Sequence, residues 1–179
     1  GVLGQQGKGS LSVLAEQERH PPNLLYMATL GKAAGVCGAF VAAQADVIET
    51  LIQSARSYIY TTATPSLLSR ALLTSLELIE REEWRRNMLA RNIAQLRQEL
   101  QSLRWTLLPS MTPIQPLLIG ESHEAVRISQ QLRERGLLVP AIRPPTVPQN
   151  TARLRISLSA AHAPQDIQRL TQALQDLAA

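Results

Sequence analysis

Cysteine is nearly absent from this 179-residue sequence, which contains only Cys37. A single thiol excludes an internal disulfide and suits a reducing compartment, so we expect a cytoplasmic location. Aromatic residues make up only 3% of the chain, which argues against a module that binds nucleic acid by stacking on bases. No apolar run is long enough to cross a membrane and no signal peptide is visible, so no membrane association is expected. Because the sequence does not begin with methionine, a targeting signal upstream would not be seen.

Blocks of like charge and recognisable metal or nucleophile motifs are also missing. Lys and Arg total 18 against 14 Asp and Glu, a net charge of +4, but the arginines of residues 81–104 lie among acids, which favours a solvated helix face. His20, His123, His162 and Cys37 lack the spacing of metal ligands, so we predict no metal site. We expect His20 in an exposed loop and His162 in a structural role. Neither a nucleophile elbow nor a phosphate-binding P-loop occurs.

The most informative stretch is residues 29–38, Thr-Leu-Gly-Lys-Ala-Ala-Gly-Val-Cys-Gly. Apolar runs at residues 24–28 and 39–43 flank it and predict two buried strands joined by a tight loop that carries Lys32. The loop glycines would let a flat ligand approach the backbone. Partial burial would disfavour the ammonium form of Lys32 and so favour Schiff-base chemistry. Taken alone, the stretch is interpreted more simply as a surface lysine on a glycine-rich turn.

The remaining periodicity predicts helices and strands in alternation. Apolar spacing predicts a helix over 47–58, capped by Asp46, and helices over 65–103 interrupted by the charged residues 80–83. Beyond them we predict strands at 105–108, 116–119, 137–139 and 152–159, a helix over 122–135 closed by Gly136, and a last helix from Pro164. This alternation is typical of a small α/β domain. The charged residues therefore predict a domain boundary between residues 1–80 and 81–179.

The motif Thr29-x-Gly31-Lys32-Ala33-x-Gly35 resembles the lysine loop of the pyridoxal 5'-phosphate (PLP)-dependent α-oxoamine synthases, within the fold-type I aminotransferase superfamily. The resemblance extends along essentially all 179 residues and corresponds to the C-terminal half of such a protein. It implies an α/β fold, in which residues 1–80 are the remainder of the PLP-binding large domain and residues 81–179 are the small C-terminal domain.

The resemblance also implies the cofactor-binding residues. Lys32 would bind PLP covalently and act as the catalytic residue, while Thr29 would contact the PLP phosphate within its own subunit. Thr61 and Thr62 match a segment that contacts the phosphate of the neighbouring subunit, so a homodimer with a shared active site is implied. From the residues alone, the threonines could instead mark a capped helix start with Pro65 in its first turn.

Two further segments match substrate-binding parts of the family. Arg155, in Ala-Arg-Leu-Arg-Ile-Ser, matches an arginine that binds the carboxylate of the amino acid, a task that suits a planar guanidinium. Alternatively it is a solvent-facing strand residue, as we expect for Arg153. Arg143 and Thr146, in Arg-Pro-Pro-Thr-Val-Pro, match the acyl-side loop of the members that use L-alanine; the glycine-using members vary here.

The activity that the resemblance implies is an acyl transfer. L-alanine would condense, with loss of carbon dioxide, with pimeloyl-CoA or pimeloyl-acyl carrier protein to give 8-amino-7-oxononanoate for biotin biosynthesis. Alternatives are a glycine-using synthase similar to aminoketobutyrate ligase, or a non-enzymatic α/β module that binds an acidic partner through its arginines. The family's ring-stacking histidine and its aspartate for the pyridinium nitrogen would precede Gly1, so we expect weak or no catalysis from residues 1–179 alone.

Overall fold

The computed structural model describes residues 4–14, 21 and 23–178. The predicted loop around His20 lies outside these residues. The chain forms two compact units, Gly1–Glu83 and Trp84–Ala179. Identifying these units with a large and a small domain of the family stays a prediction. None of the helices in the described part of the chain is long and apolar enough to span a membrane.

The first unit combines a hairpin with helices. After two short 3₁₀ turns, its elements are β1 (Tyr26–Thr29), β2 (Ala39–Ala42), α1 (Ala45–Ser54), α2 (Arg56–Ile59) and α3 (Ser66–Arg81). The strands pair antiparallel, with Tyr26 opposite Ala42 and Thr29 opposite Ala39. α1 begins one residue before Asp46, which lies in its first turn, where a negative charge suits the helix dipole. The helix predicted over 47–58 is divided at Ala55 into α1 and α2.

The prediction that the two hairpin strands are buried is wrong for this structure. All four residues of β2 are exposed, and β1 alternates between half-buried and exposed positions. Helices α1, α2 and α3 likewise contain no buried residue. An apolar run predicts that a strand can be buried, but burial also needs a second layer of residues, and the described residues of this unit do not provide one over the hairpin.

The second unit is an antiparallel sheet covered by helices. Its elements are the main part of α4 (Glu83–Glu99), then β3 (Thr106–Leu107), β4 (Ile114–Gly120), α5 (Ser122–Glu134), β5 (Ala141–Ile142), β6 (Ala152–Ser157) and α6 (Pro164–Ala178). The strand order is β3-β4-β6-β5, and each neighbouring pair is antiparallel. The break predicted at 80–83 is confirmed, because α3 ends at Arg81 and α4 begins at Glu83.

The core of the second unit lies between the sheet and its helices. Leu154 and Ile156 of β6 are buried together with Ile128 and Leu132 of α5 and with Leu174 of α6. The buried residues of α5 and α6 follow the spacing of one helix face. The alternation predicted for β6 is also confirmed: Ala152, Leu154 and Ile156 are buried and Arg155 is exposed, although Arg153 is half-buried rather than solvent-facing.

The strand predicted at residues 137–139 is not formed; β5 lies at Ala141–Ile142 instead. The amide of Leu137 donates to the Leu132 carbonyl at the end of α5, at 2.9 Å. The Val139 carbonyl accepts a hydrogen bond from the Ser129 hydroxyl at 2.6 Å. These backbone groups therefore bond to α5 rather than to a strand, and bonding to β6 begins only at the Pro140 carbonyl, followed by the pair Ala141 and Leu154.

Candidate active site

Lys32 lies in the connection between β1 and β2, at the first position of a turn. The Gly35 amide donates to the Lys32 carbonyl at 3.0 Å and closes this turn. The Leu30 amide donates to the Gly38 carbonyl at 2.8 Å, and the Val36 amide donates to the Leu30 carbonyl at 3.0 Å. These bonds hold the connection as a compact loop at the end of the hairpin. Gly35 has a φ of 64°, which favours glycine at this position.

The amine of Lys32 is accessible. The side chain is exposed, so the partial burial expected for Lys32 is wrong for this structure. The reason is the one given for the hairpin: the described residues provide no second layer that covers it. Within the described part of the chain, Lys32 has no ion-pair partner. A Cβ added at Gly35 would meet no atom within 4 Å, and one at Gly31 would meet only the Val36 carbonyl, at 3.9 Å. The surroundings are thus open enough for a flat ligand to reach the amine.

The predicted phosphate-contacting threonines occupy two places in the first unit. Thr29 ends β1, three positions before Lys32, and is exposed. Thr61 and Thr62 follow α2 and are also exposed. The Thr61 hydroxyl donates to the Tyr58 carbonyl at 2.7 Å and so caps α2. The hydroxyl proton of Thr61 is therefore already used in this hydrogen bond. Thr29 and Lys32 therefore lie three positions apart in the chain at the loop end of the hairpin, while no described hydrogen bond joins Thr61 or Thr62 to the Lys32 loop.

A further residue contacts this loop and was missed in the sequence. The Ser75 hydroxyl, in the middle of α3, donates to the Ala34 carbonyl at 2.7 Å. Leu68, Leu72, Ser75 and Ile79 are the half-buried positions of α3, whereas Leu67 and Leu76 of the predicted stripe are 74% and 49% exposed. The signal available in the sequence was a serine at helical spacing within an apolar stripe.

The predicted substrate arginines both lie in the second unit, Arg155 on β6 and Arg143 directly after β5. Arg155 is exposed on β6 opposite Pro116 of β4, and its amide donates to the Pro140 carbonyl at 2.9 Å. Arg143 follows β5 and is exposed, and its carbonyl accepts from the Thr146 amide at 3.1 Å. The backbones that present both guanidinium groups are thus fixed by hydrogen bonds.

Arg143 also borders a groove between α5 and β5, with a volume of about 780 Å³, together with Arg133 and Leu138. Two guanidinium groups beside apolar side chains can accommodate an anion attached to an apolar chain, although Glu134 in the same lining offsets one of the two positive charges. Thr146 is exposed next to this region of the loop. The second unit therefore offers positively charged groups on exposed, well-defined backbone.

His162 has a structural role, as predicted. Its Nδ1 atom accepts a hydrogen bond from the Ser159 amide at 3.2 Å. The buried Asn92 side chain donates to the carbonyls of His162 and Ser159, at 3.0 and 3.1 Å. The residues described by the structure contain no group of three or more His, Cys, Asp or Glu side chains that could hold a metal ion.

Comparison with known proteins gives consistent relatives. The sequence pattern of the aminotransferase class I and II family matches residues 1–174. The 8-amino-7-oxononanoate synthase of Nitrosomonas eutropha is 68% identical over 178 residues, covering 99% of this chain and 46% of the relative. The synthase of Nitrosomonas europaea is 67% identical over 178 residues, with the same coverage of 99% and 46%. The chain thus spans about half the length of the curated relatives it matches.

Solved structures show the same fold. The 8-amino-7-oxononanoate synthase of Francisella tularensis superimposes with a TM-score of 0.75 at 31% identity, over 86% of this chain and 45% of that one. Sphingomonas wittichii serine palmitoyltransferase gives a TM-score of 0.78 at 25% identity, over 86% and 39%. The enzyme from S. paucimobilis with a bound PLP–myriocin aldimine gives 0.76 at 26% identity, over 86% and 39%.

Proposed function

The chain belongs to the aminotransferase class I and II family, and we propose that it is the C-terminal half of an acyltransferase of biotin biosynthesis. Its fold is that of the PLP-dependent fold-type I aminotransferases. The reaction is the decarboxylative condensation of L-alanine with a pimeloyl thioester, carried by coenzyme A or acyl carrier protein, to 8-amino-7-oxononanoate. The observation that carries this proposal is the 68% identity, along 99% of the chain, to a synthase with this product in its name.

PLP is the cofactor that this family uses, and when bound it supplies an electron sink for charge that develops at the substrate Cα. Lys32 fits the covalent attachment of PLP, because its amine is exposed and the loop around it leaves space at Gly35. The free Lys32 Nζ atom would be the base that accepts the proton from the substrate Cα. The turn at residues 32–35 keeps this amine at the end of the hairpin.

Hydroxyl groups hold the cofactor phosphate. Thr29 provides a donor within its own subunit, three positions from Lys32. Thr61 and Thr62 contribute to the site of the neighbouring subunit in a homodimer. The Thr61 hydroxyl already donates to the Tyr58 carbonyl, so in this arrangement Thr62 is the better hydroxyl donor and Thr61 must rotate to donate.

A location in the cytoplasm suits the exposed free thiol of Cys37.

The arginines of the second unit bind the substrates. Arg155 binds the carboxylate of L-alanine through two parallel charge-assisted hydrogen bonds. Arg143 and Thr146 line the acyl side, where the thioester carries its apolar chain. The described residues provide no ion-pair partner for Arg143 or Arg155, so both guanidinium groups remain available for an anionic ligand.

The cofactor test uses the protein that contains this chain at full length. PLP is added, the visible absorbance spectrum is recorded, and borohydride reduction is followed by peptide mapping. Within the chain only Lys8 and Lys32 can form an adduct, so Lys8→Ala is the matched control for Lys32→Ala. We expect the adduct on Lys32 and its loss only in Lys32→Ala. An adduct on Lys8, or none in the chain, would contradict the proposal.

The substrate test measures KM for L-alanine and glycine in the same protein. Arg155→Ala should raise the KM for alanine about 10-fold or more, since a charge-assisted bidentate contact contributes at least about 1.5 kcal/mol. Arg153→Ala, two positions away on β6, is the control and should leave KM within about twofold, because its Nε atom donates to the Thr151 carbonyl. Preference for glycine over alanine would indicate another synthase. Unchanged alanine affinity in Arg155→Ala would refute the assigned role.

A further inference from the structure

The contact between Ser75 and Ala34 links two segments that are 41 residues apart in the sequence. Its donor lies within α3, a regular helix of 16 residues. Its acceptor is the carbonyl of the third residue in the turn that begins at Lys32. The hydroxyl therefore joins a regular helix to the backbone two positions after the amine that the proposed function uses.

The other described hydrogen bonds of the Lys32 loop are internal to it. They join Leu30 to Gly38, Leu30 to Val36 and Lys32 to Gly35. Three of the nine residues in the loop are glycines, which allow more backbone conformations than other residues. Internal bonds preserve the shape of such a loop but do not fix it against the rest of the unit. Packing of the buried Val36 side chain is one attachment to the rest of the unit, and among the described hydrogen bonds the Ser75 bond is the one that joins the loop to α3.

The bond is partly buried, so water can replace it only incompletely when the hydroxyl is removed. A hydrogen bond of this kind contributes a net stabilisation of about 1 kcal/mol. This stabilisation is small compared with the free energy that holds the whole unit together. It acts, however, on a single short turn. Because covalent attachment requires the Lys32 amine to be held close to its target, a loss of position at this turn affects attachment directly.

We propose that Ser75 is a positioning residue for Lys32, holding the lysine loop against α3 so that the amine is placed for attachment of the cofactor. This inference rests on the proposed function, since it needs Lys32 to bind PLP. Ser75 need not touch the cofactor or the substrate for this role. It acts through the Ala34 carbonyl and the turn at residues 32–35.

The test compares three variants of the full-length protein. Ser75→Ala removes the hydroxyl and suits a helix interior better than serine does, so α3 is retained. Ser75→Thr keeps a hydroxyl and should restore the behaviour of the unsubstituted protein. Thr74→Ala is the matched control, because the neighbouring Thr74 hydroxyl bonds only within the helix, to the Arg70 carbonyl at 3.4 Å.

Two readouts are measured. Amide hydrogen exchange of the peptide covering residues 30–38, without cofactor, should become about fivefold faster in Ser75→Ala and unchanged in Thr74→Ala. The dissociation constant for PLP, from absorbance titration and borohydride trapping on Lys32, should rise about three- to tenfold in Ser75→Ala and return towards normal in Ser75→Thr.

The outcomes separate this inference from the proposed function. If Lys32 is labelled in every variant and Ser75→Ala keeps the same PLP affinity, the positioning role is refuted while the proposed function stands. Equal effects of Ser75→Ala and Thr74→Ala would also refute the positioning role, because the effect would then not depend on the hydrogen bond to Ala34. Absence of label on Lys32 in the unsubstituted protein would refute both.

Discussion

Asn92 offers a sharp test of how the second unit is held together. It lies on α4 with 1% of its surface exposed, and its Nδ2 atom donates to the carbonyls of Ser159 and His162. These two carbonyls belong to the loop between β6 and α6. Asn92→Ala removes both donors at once and leaves α4 with a residue of higher helix propensity.

The expected loss follows from the two bonds. The Ser159 carbonyl retains a second donor, the His162 amide at 3.2 Å, so only the His162 carbonyl loses its described partner. Two hydrogen bonds at about 1 kcal/mol each give a loss of about 2 kcal/mol. That value corresponds to an increase of about 30-fold in the equilibrium constant for local opening. Asn92→Asp should cost more, because a carboxylate oxygen would face carbonyl oxygens in a buried position.

The assay is native-state hydrogen exchange of the peptide covering residues 152–162. The control is Asn87→Ala, since Asn87 is exposed on the same helix and the substitution brings the same gain in helix propensity. We expect exchange about 30-fold faster in Asn92→Ala than in Asn87→Ala. If the two variants differ by less than about twofold, the reasoning from these hydrogen bonds is wrong.

Two further substitutions test the core and the end of α5, and both are followed by urea unfolding. Leu154→Ala should lower the free energy of unfolding by about 2–5 kcal/mol, because Leu154 is fully buried. Leu138→Ala should change it by less than about 0.5 kcal/mol, because Leu138 is 82% exposed; equal losses would contradict the burial described here. Gly136→Ala should cost about 1 kcal/mol through its φ of 78° rather than through a clash, since the added Cβ would lie 3.8 Å from Arg169. Gly136→Asn should lose less, and a larger loss for asparagine would refute the backbone explanation.

The sequence determined the features that depend on short-range patterns. The alternation of β6 and the apolar stripe of α6 follow from spacings of two to four residues, and the break between α3 and α4 coincides with the charged residues 80–83. Such spacings decide which face of an element is apolar whatever packs against it. The glycines around Lys32 likewise predicted a tight loop, because glycine at position 35 meets a backbone requirement, a φ of 64°.

The residues proposed for the candidate site also come from short-range patterns. Lys32, Arg143 and Arg155 occur in short motifs, and the motifs were matched to a family without knowledge of packing. A motif could not predict how exposed each side chain is or which hydrogen bonds it makes. Lys32 is exposed rather than partly buried, and the Thr61 hydroxyl donates to Tyr58. Both facts depend on which atoms surround the group.

Only the tertiary structure decided the long-range contacts. Ser75 and Ala34 are 41 residues apart, and Asn92 bonds to carbonyls 67 and 70 residues away. No local periodicity encodes such pairs, because the fold of the whole intervening segment brings the two residues together. Residues 137–139 show the same limit: an apolar run predicted a strand, yet its backbone bonds to α5. Sequence sets what each segment is able to do, and the competition among partners in the folded chain sets which hydrogen bonds it makes.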